Sequence, residues 1–290
     1  MRNRAVVTGV LALCGMAVVG CGAAAGGTSA PALPQPSPAG GAVAEGAIGT
    51  AAAATEAAPR AGTSASASAP AEPLAGKVIA IDPGHNGGNY RDPGYINRQV
   101  DVLTEHKACD TTGTATRSGY TEAAFNWDVS KRLVKILEAR GAKVKLTRTG
   151  NTGVGPCITQ RAAIGNKAKA DAALSVHADG APSGDHGFHV IMPKKIDGPV
   201  DPVVGASRKL GVAIRDAFRS GTGLPYSTYI GSKALDYRDD LGGLNLSTVP
   251  KVFVECGNMA NPGDAAKFRS PAFRQKIAQA LADGLQNYLT

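Results

Sequence analysis

Three short apolar runs in this chain each end on a residue that can do chemistry. Val78-Ile79-Ala80-Ile81 stops at Asp82-Pro83-Gly84 and presents His85; Ala172-Ala173-Leu174-Ser175-Val176 runs into His177; Val252-Phe253-Val254 runs into Glu255. Runs of this length, bounded by turn residues, read as buried strands. Lys143–Thr147 alternates like a further strand, and Gly187–Met192 closed by Pro193 is another. The intervening stretches have helical spacing. Phe125, Val129, Leu133, Ile136 and Leu137 recur on one face, with Thr121 as the N-cap and Gly141 as the stop. Thr159–Lys169, 202–219, 264–268 and 271–288 read as helices too. Strands alternating with helices predict an α/β domain with a mostly parallel sheet covered on both faces.

In such a sheet the residues just past the carboxyl ends of the strands share one edge, where open α/β folds build their sites. His85, His177 and Glu255 stand there, and Glu122, in the first turn of the helix reached from the first strand, falls on the same edge. Two imidazoles and one carboxylate form a His2Glu zinc set with a fourth position left for water. A second carboxylate would then take the water's proton and pass it to a leaving amine. Counting leaves open which glutamate is ligand and which is base. Asp101, Glu105 and His106, in the polar stretch 86–121 expected to overhang the site, are weaker candidates, since charges on polar loops are usually solvated. Asp179, His186 and His189 lie near enough to touch a substrate, although all three read first as residues with no part in the chemistry, His189 as an ordinary strand residue.

Before residue 76 the chain cannot supply a core. Residues 1–20 carry Arg2 and Arg4, a short apolar middle and small residues, which is the pattern of a signal peptide. Val18-Val19-Gly20-Cys21 resembles a bacterial lipobox, so Cys21 is expected as the lipid attachment site and mature N-terminus. Two acyl chains would hold the protein on the outer face of the membrane; cleavage without lipidation would release it to the cell wall. Residues 21–75, almost wholly Ala, Gly, Ser, Thr and Pro, read as a disordered tether. Residues 76–290 remain for one domain. The formal charge of +8, with no Lys/Arg run and 5% aromatic residues, argues against nucleic acid.

Three cysteines, Cys109, Cys157 and Cys256, fall in that domain. Export permits disulfides. Cys109 and Cys157 lie in loop-like stretches and are expected to pair; Cys256 follows an apolar strand and is expected to be a buried thiol.

The residues Val78–His85, Glu122 with Asn126, Leu146-Thr147-Arg148, Arg161 with Asn166, Ser175–Asp179 and Val254–Asn261 resemble, in order, the motifs of the zinc-dependent N-acetylmuramoyl-L-alanine amidases (the Amidase_3 family). The resemblance spans 77–288. It implies a mostly parallel sheet of about six strands, with one zinc per chain held by His85, Glu122 and His177. Glu255 then matches the catalytic glutamate. The implied activity is cleavage of the amide between N-acetylmuramic acid and the L-alanine of the peptidoglycan stem peptide, in cell-wall remodelling or turnover. Arg148 and Asn166 match positions that look structural. Two departures stand out: Asn86 separates His85 from Gly87-Gly88, and Cys256 replaces an apolar residue. The partners expected are peptidoglycan or muropeptide and the membrane, with the protein a monomer.

Other readings of the same residues are a non-catalytic wall-binding lipoprotein, a ferrous facial triad, a metal-dependent deacetylase or amidohydrolase on another polysaccharide, and a Cys256 nucleophile with His177 as its base. The wall-binding reading needs a lost ligand or base, and all four residues are present. The ferrous reading fits poorly outside the cell, and His177 cannot both bind zinc and serve a thiol.

Overall fold

The computed structural model describes residues 72–290. The expected signal peptide, Cys21 and nearly all of the 21–75 tether lie outside the described residues. In chain order the elements are β1 (Val78–Pro83), α1 (Pro93–Ile96), β2 (Gln99–Asp101), β3 (His106–Ala108), α2 (Glu122–Ala139), β4 (Lys143–Leu146), α3 (Ile158–Lys167) and β5 (Ala172–Asp179). There follow β6 (His189–Pro193), α4 (Val204–Thr222), β7 (Leu235–Arg238), α5 (Gly242–Asn245), β8 (Lys251–Asn258), α6 (Pro262–Arg269) and α7 (Pro271–Leu289).

Six strands form one sheet in the order β4-β1-β5-β8-β6-β7, parallel throughout except where β6 runs against β8. The two faces of the sheet differ in character, because side chains alternate along a strand. One face carries Ile79, Ile81, Leu174, Val176, Val252 and Val254, all fully buried beneath α2, α4 and α7. Each such side chain contributes about 1.5–3 kcal/mol on burial. The other face carries Ala80, Ala173, Asp82, Ser175 and Lys251, and α3 lies over its small residues. The large apolar face holds the sheet together; the small, polar face leaves room for a site.

Helix α2 begins as the sequence predicts. Thr121 is extended and its side chain accepts the Ala124 amide, and Glu122 occupies the first turn. At the far end of α2, Leu74 is fully buried in the core and its amide donates to the Arg140 carbonyl at 2.8 Å. The boundary expected at residue 76 is therefore a few residues late, because one leucine in an otherwise small-residue stretch suffices to dock the chain.

The polar stretch 86–121 is not a featureless overhang. It contains a 3-10 turn at Asn89–Arg91, the short α1 and a β2–β3 hairpin. Strand β7 also escapes the sequence reading: Leu-Asp-Tyr-Arg at a sheet edge needs no apolar alternation.

Candidate metal centre and active site

The register of three adjacent strands sets the site. His177 on β5 pairs with Glu255 on β8, and Glu255 pairs with His189 on β6, so these side chains leave the same face in a row. Beyond His177 the β5–β8 register shifts, which frees the edge from regular pairing. The β1 position beside this row is glycine. A Cβ on Gly84 would run into the His177 ring, so only glycine lets that ring lie across the end of β1. His85 follows with φ +55°, a left-handed conformation that turns its side chain back over the edge.

Glu122 joins the two histidines. Its Oε2 lies 3.2 Å from His85 Nε2 and its Oε1 2.9 Å from His177 Nδ1. One ligand atom from each of the three lies within 4.8 Å of the other two. Ligands about 2.0–2.2 Å from a tetrahedral ion stand roughly 3.3–3.5 Å apart, so the two Glu122 contacts sit close to the edge lengths a zinc would require. The carboxylate is held in place by the Thr114 amide at 3.0 Å and the Ala178 amide at 3.3 Å. Gly113 lies so close that a Cβ there would stand 2.7 Å from both Glu122 Oε2 and His85 Cδ2, and its φ of +71° favours glycine as well. His177 stacks on Phe253 at 5.3 Å and meets His85 edge-on at 5.0 Å.

The electrostatics favour a cation among these groups. Burial works against a charged imidazole, yet the Glu122 carboxylate and Asp110 raise His85 to about 10. Burial likewise opposes ionisation of Glu122, but the two histidines hold it well below the usual carboxylate range. Glu255 goes the other way: burial, with Glu122 and Asp179 nearby, pushes it well above that range, and its Oε2 has no hydrogen-bond partner. Two carboxylates in one cleft, one shifted down and one shifted up, are the arrangement expected of a ligand beside a base. They share a cleft of about 390 Å³ with the two histidines, Asp179 and Arg238.

A buried ionic scaffold lies beneath. Asp82 accepts from Arg161 at 3.0 Å, Lys251 at 3.1 Å, Thr147 at 2.6 Å and Ser175 at 2.5 Å. Burial disfavours its charge, but Lys251 and Arg161 hold its pKa well below normal. Arg161 also donates to the carbonyls of Pro83 and His85 and to Asp110. Arg148 donates to the carbonyls of Pro83, Gly84 and Ala123. Two arginines thus pin the β1 turn that carries His85.

Of the residues singled out in the sequence, His85, Glu122, His177 and Glu255 come together. Asp101, Glu105 and His106 are exposed on the β2–β3 hairpin and are not among the grouped ligand atoms. His189 is a buried residue of β6, the ordinary strand position expected of it; it packs edge-on to Tyr229, whose hydroxyl donates to Asp179 at 3.0 Å. Asn166 ties α3 to the Leu246 carbonyl and the Thr248 amide, a structural task. Cys256 leaves β8 on the face opposite Glu255, fully buried in the core, and burial pushes its thiol well up. It cannot reach a substrate. Cys109 and Cys157 are joined in a disulfide. The sequence reading missed Asp110, which touches both His85 and Arg161. Its position directly after Cys109 was the signal available.

The domain that carries the site is similar to known proteins. The sequence model of the family described as N-acetylmuramoyl-L-alanine amidase, Amidase_3, matches residues 79–287. The chain is 40% identical over 226 residues to an N-acetylmuramoyl-L-alanine amidase of Mycobacterium tuberculosis, covering 77% of this chain and 91% of that relative. It is similar to the crystal structure of the N-acetylmuramyl-L-alanine amidase of Mycobacterium smegmatis, with a TM-score of 0.70, 40% identity, and coverage of 74% of this chain and 98% of that one. The catalytic domain of an N-acetylmuramoyl-L-alanine amidase from Bacillus (Paenibacillus) polymyxa superimposes with a TM-score of 0.56 at 24% identity, over 73% of this chain and 98% of that one, a likeness of fold.

Proposed function

The chain belongs to the Amidase_3 family of N-acetylmuramoyl-L-alanine amidases, and from that premise we propose that it hydrolyses peptidoglycan with a zinc ion held by His85, Glu122 and His177 and with Glu255 as the base. The bond cut is the amide between N-acetylmuramic acid and the L-alanine of the stem peptide. The observation that carries the zinc reading is the meeting of two imidazole nitrogens and one carboxylate within 4.8 Å at a sheet edge.

When bound there, zinc lowers the pKa of a water towards about 7 and polarises the scissile carbonyl. Glu255 does the proton work. Its unpartnered Oε2 is free to take the proton of the attacking water and to return it to the departing alanine nitrogen. Burial, with Glu122 and Asp179 nearby, pushes its pKa well up, which favours a group that accepts a proton and later gives it back. Glu122, fixed by two backbone amides, stays ionised and serves as a ligand.

The N-terminal pattern supports a further reading: residues 1–20 direct export, Cys21 carries the lipid and the domain works on the outer side of the membrane. Among the described residues no helix is long and apolar enough to cross a membrane.

Metal analysis of the purified protein, with mass spectrometry of its products from muramyl peptides, tests the enzymatic reading. One zinc per chain and a free L-alanine amino terminus are expected. Full cleavage after the metal has been stripped by a chelator would overturn it.

A further inference from the structure

His85 is held from behind by a group that no part of the reaction uses. Its Nδ1, the nitrogen turned away from Glu122, is surrounded by oxygen: Asp110 Oδ1 at 3.3 Å, the Thr111 carbonyl at 3.2 Å and the Thr111 hydroxyl at 3.1 Å. Acceptors around Nδ1 keep the proton on that nitrogen and leave Nε2 free as a ligand. The same Asp110 oxygen accepts the Thr111 amide at 2.8 Å, so the carboxylate also fixes the neighbouring carbonyl. Its other oxygen accepts from Arg161 at 3.0 Å. Both Asp110 and Arg161 are nearly inaccessible, at 5% and 4% exposure.

The two elements that supply this pair are bolted together. Cys109, immediately before Asp110, is bonded to Cys157, which caps α3 four residues before Arg161. The Ile158 amide adds a hydrogen bond to the Cys109 carbonyl at 2.8 Å. Arg161 in turn grips the His85 carbonyl at 2.9 Å. Backbone and ring of one histidine, itself in a left-handed conformation, are thus tied to a single cross-linked unit.

We propose that Asp110 is a positioning residue of the metal centre: clamped by Arg161 and the Cys109–Cys157 bond, it holds the His85 ring with Nε2 towards Glu122 and so sets the affinity for zinc. This rests on the zinc reading above. It assigns the disulfide a task beyond stability, because the bond places the carboxylate that places the ligand.

The test is zinc competition against a chromophoric chelator, using the purified protein and its variants. Asp110→Ala is expected to weaken zinc binding roughly 10–100-fold while the far-ultraviolet circular dichroism stays native. The visible spectrum of the cobalt-substituted variant should change, because the ring has turned. Asp110→Asn, which keeps the shape but loses the charge, serves if the alanine variant does not fold, and should lose affinity by a smaller factor. Leu285→Ala, in the core of α7, should lower the melting temperature and leave zinc affinity alone. Replacing Cys109 and Cys157 together by serine should weaken zinc binding by less than Asp110→Ala. Wild-type affinity in the folded Asp110 variants would overturn the proposal, as would an equal loss in Leu285→Ala. Wild-type affinity in the double cysteine variant would remove the disulfide from it. A wild-type protein that binds no zinc would instead overturn the zinc reading itself.

Discussion

Glu255 and His177 are register partners on the adjacent parallel strands β8 and β5, one strand spacing apart on the same face of the sheet. The proposed base and the proposed ligand are therefore held by backbone hydrogen bonds about 4.8 Å apart, rather than by loops. Glu255→Gln should keep its zinc and lose turnover on the order of 10²–10⁴-fold, since Oε2 has no partner to lose. Metal content and muropeptide cleavage, measured on one preparation, check this. Loss of zinc in that variant would mean that the two glutamates have been assigned the wrong way round.

Glu122→Gln should fail differently. The carboxylate touches both histidines, so its loss removes one ligand and the charge that draws in the cation. Zinc affinity should fall by more than the roughly 10–100-fold that an outer partner of a ligand is worth. Equilibrium dialysis against buffered zinc would show the difference, and an unaltered zinc content would exclude Glu122 from the ligand set.

Zinc uptake should depend on pH with a definite sign. Glu122 and Asp110, overriding burial, raise His85 of the metal-free protein from 6.5 to about 10. A protonated nitrogen cannot ligate, so binding must expel a proton, and affinity should climb about tenfold per pH unit until about pH 10. The same raised pKa stabilises the metal-free fold fully below pH 6.5 and fades as the pH rises towards 10. Chelator competition at several pH values gives the slope. A flat profile would mean that His85 is already neutral.

Much of this arrangement can be read directly from the residues. His85, His177 and Glu255 stand out because each ends an apolar run, and strand ends in a parallel sheet share an edge. Glu122 stands out as the residue after an N-cap. Asp110 does not, because its one local mark is the preceding Cys109; its place is fixed by a cross-link and by an arginine 51 residues away. Strand β7 is silent for another reason: edge strands need only one partner and carry polar residues freely. Arg161 was visible as part of a motif, yet its five side-chain hydrogen bonds follow from the packing of α3 over β1.

The disulfide should also carry ordinary stability. Cys109 and Cys157 are 48 residues apart, and closing a loop of that size in the unfolded chain corresponds to roughly 4 kcal/mol. Urea unfolding of the double serine variant, compared with the oxidised protein, should show a loss of that order; a loss below about 1 kcal/mol would contradict it.

If Cys21 carries a lipid, Cys21→Ser should move the protein from the membrane fraction to the soluble one without changing its activity on muropeptides. Retention in the membrane fraction would exclude Cys21 as the anchor.

The docking of Leu74 at the Arg140 end of α2 gives the domain a polarity. Glu122 stands at the opposite end of that 18-residue helix, about 27 Å away at 1.5 Å per residue. The preceding chain therefore joins the body at its rear and the cleft opens at its front. Residues 72–74 and the Glu122 end of the cleft thus lie at opposite ends of one helix.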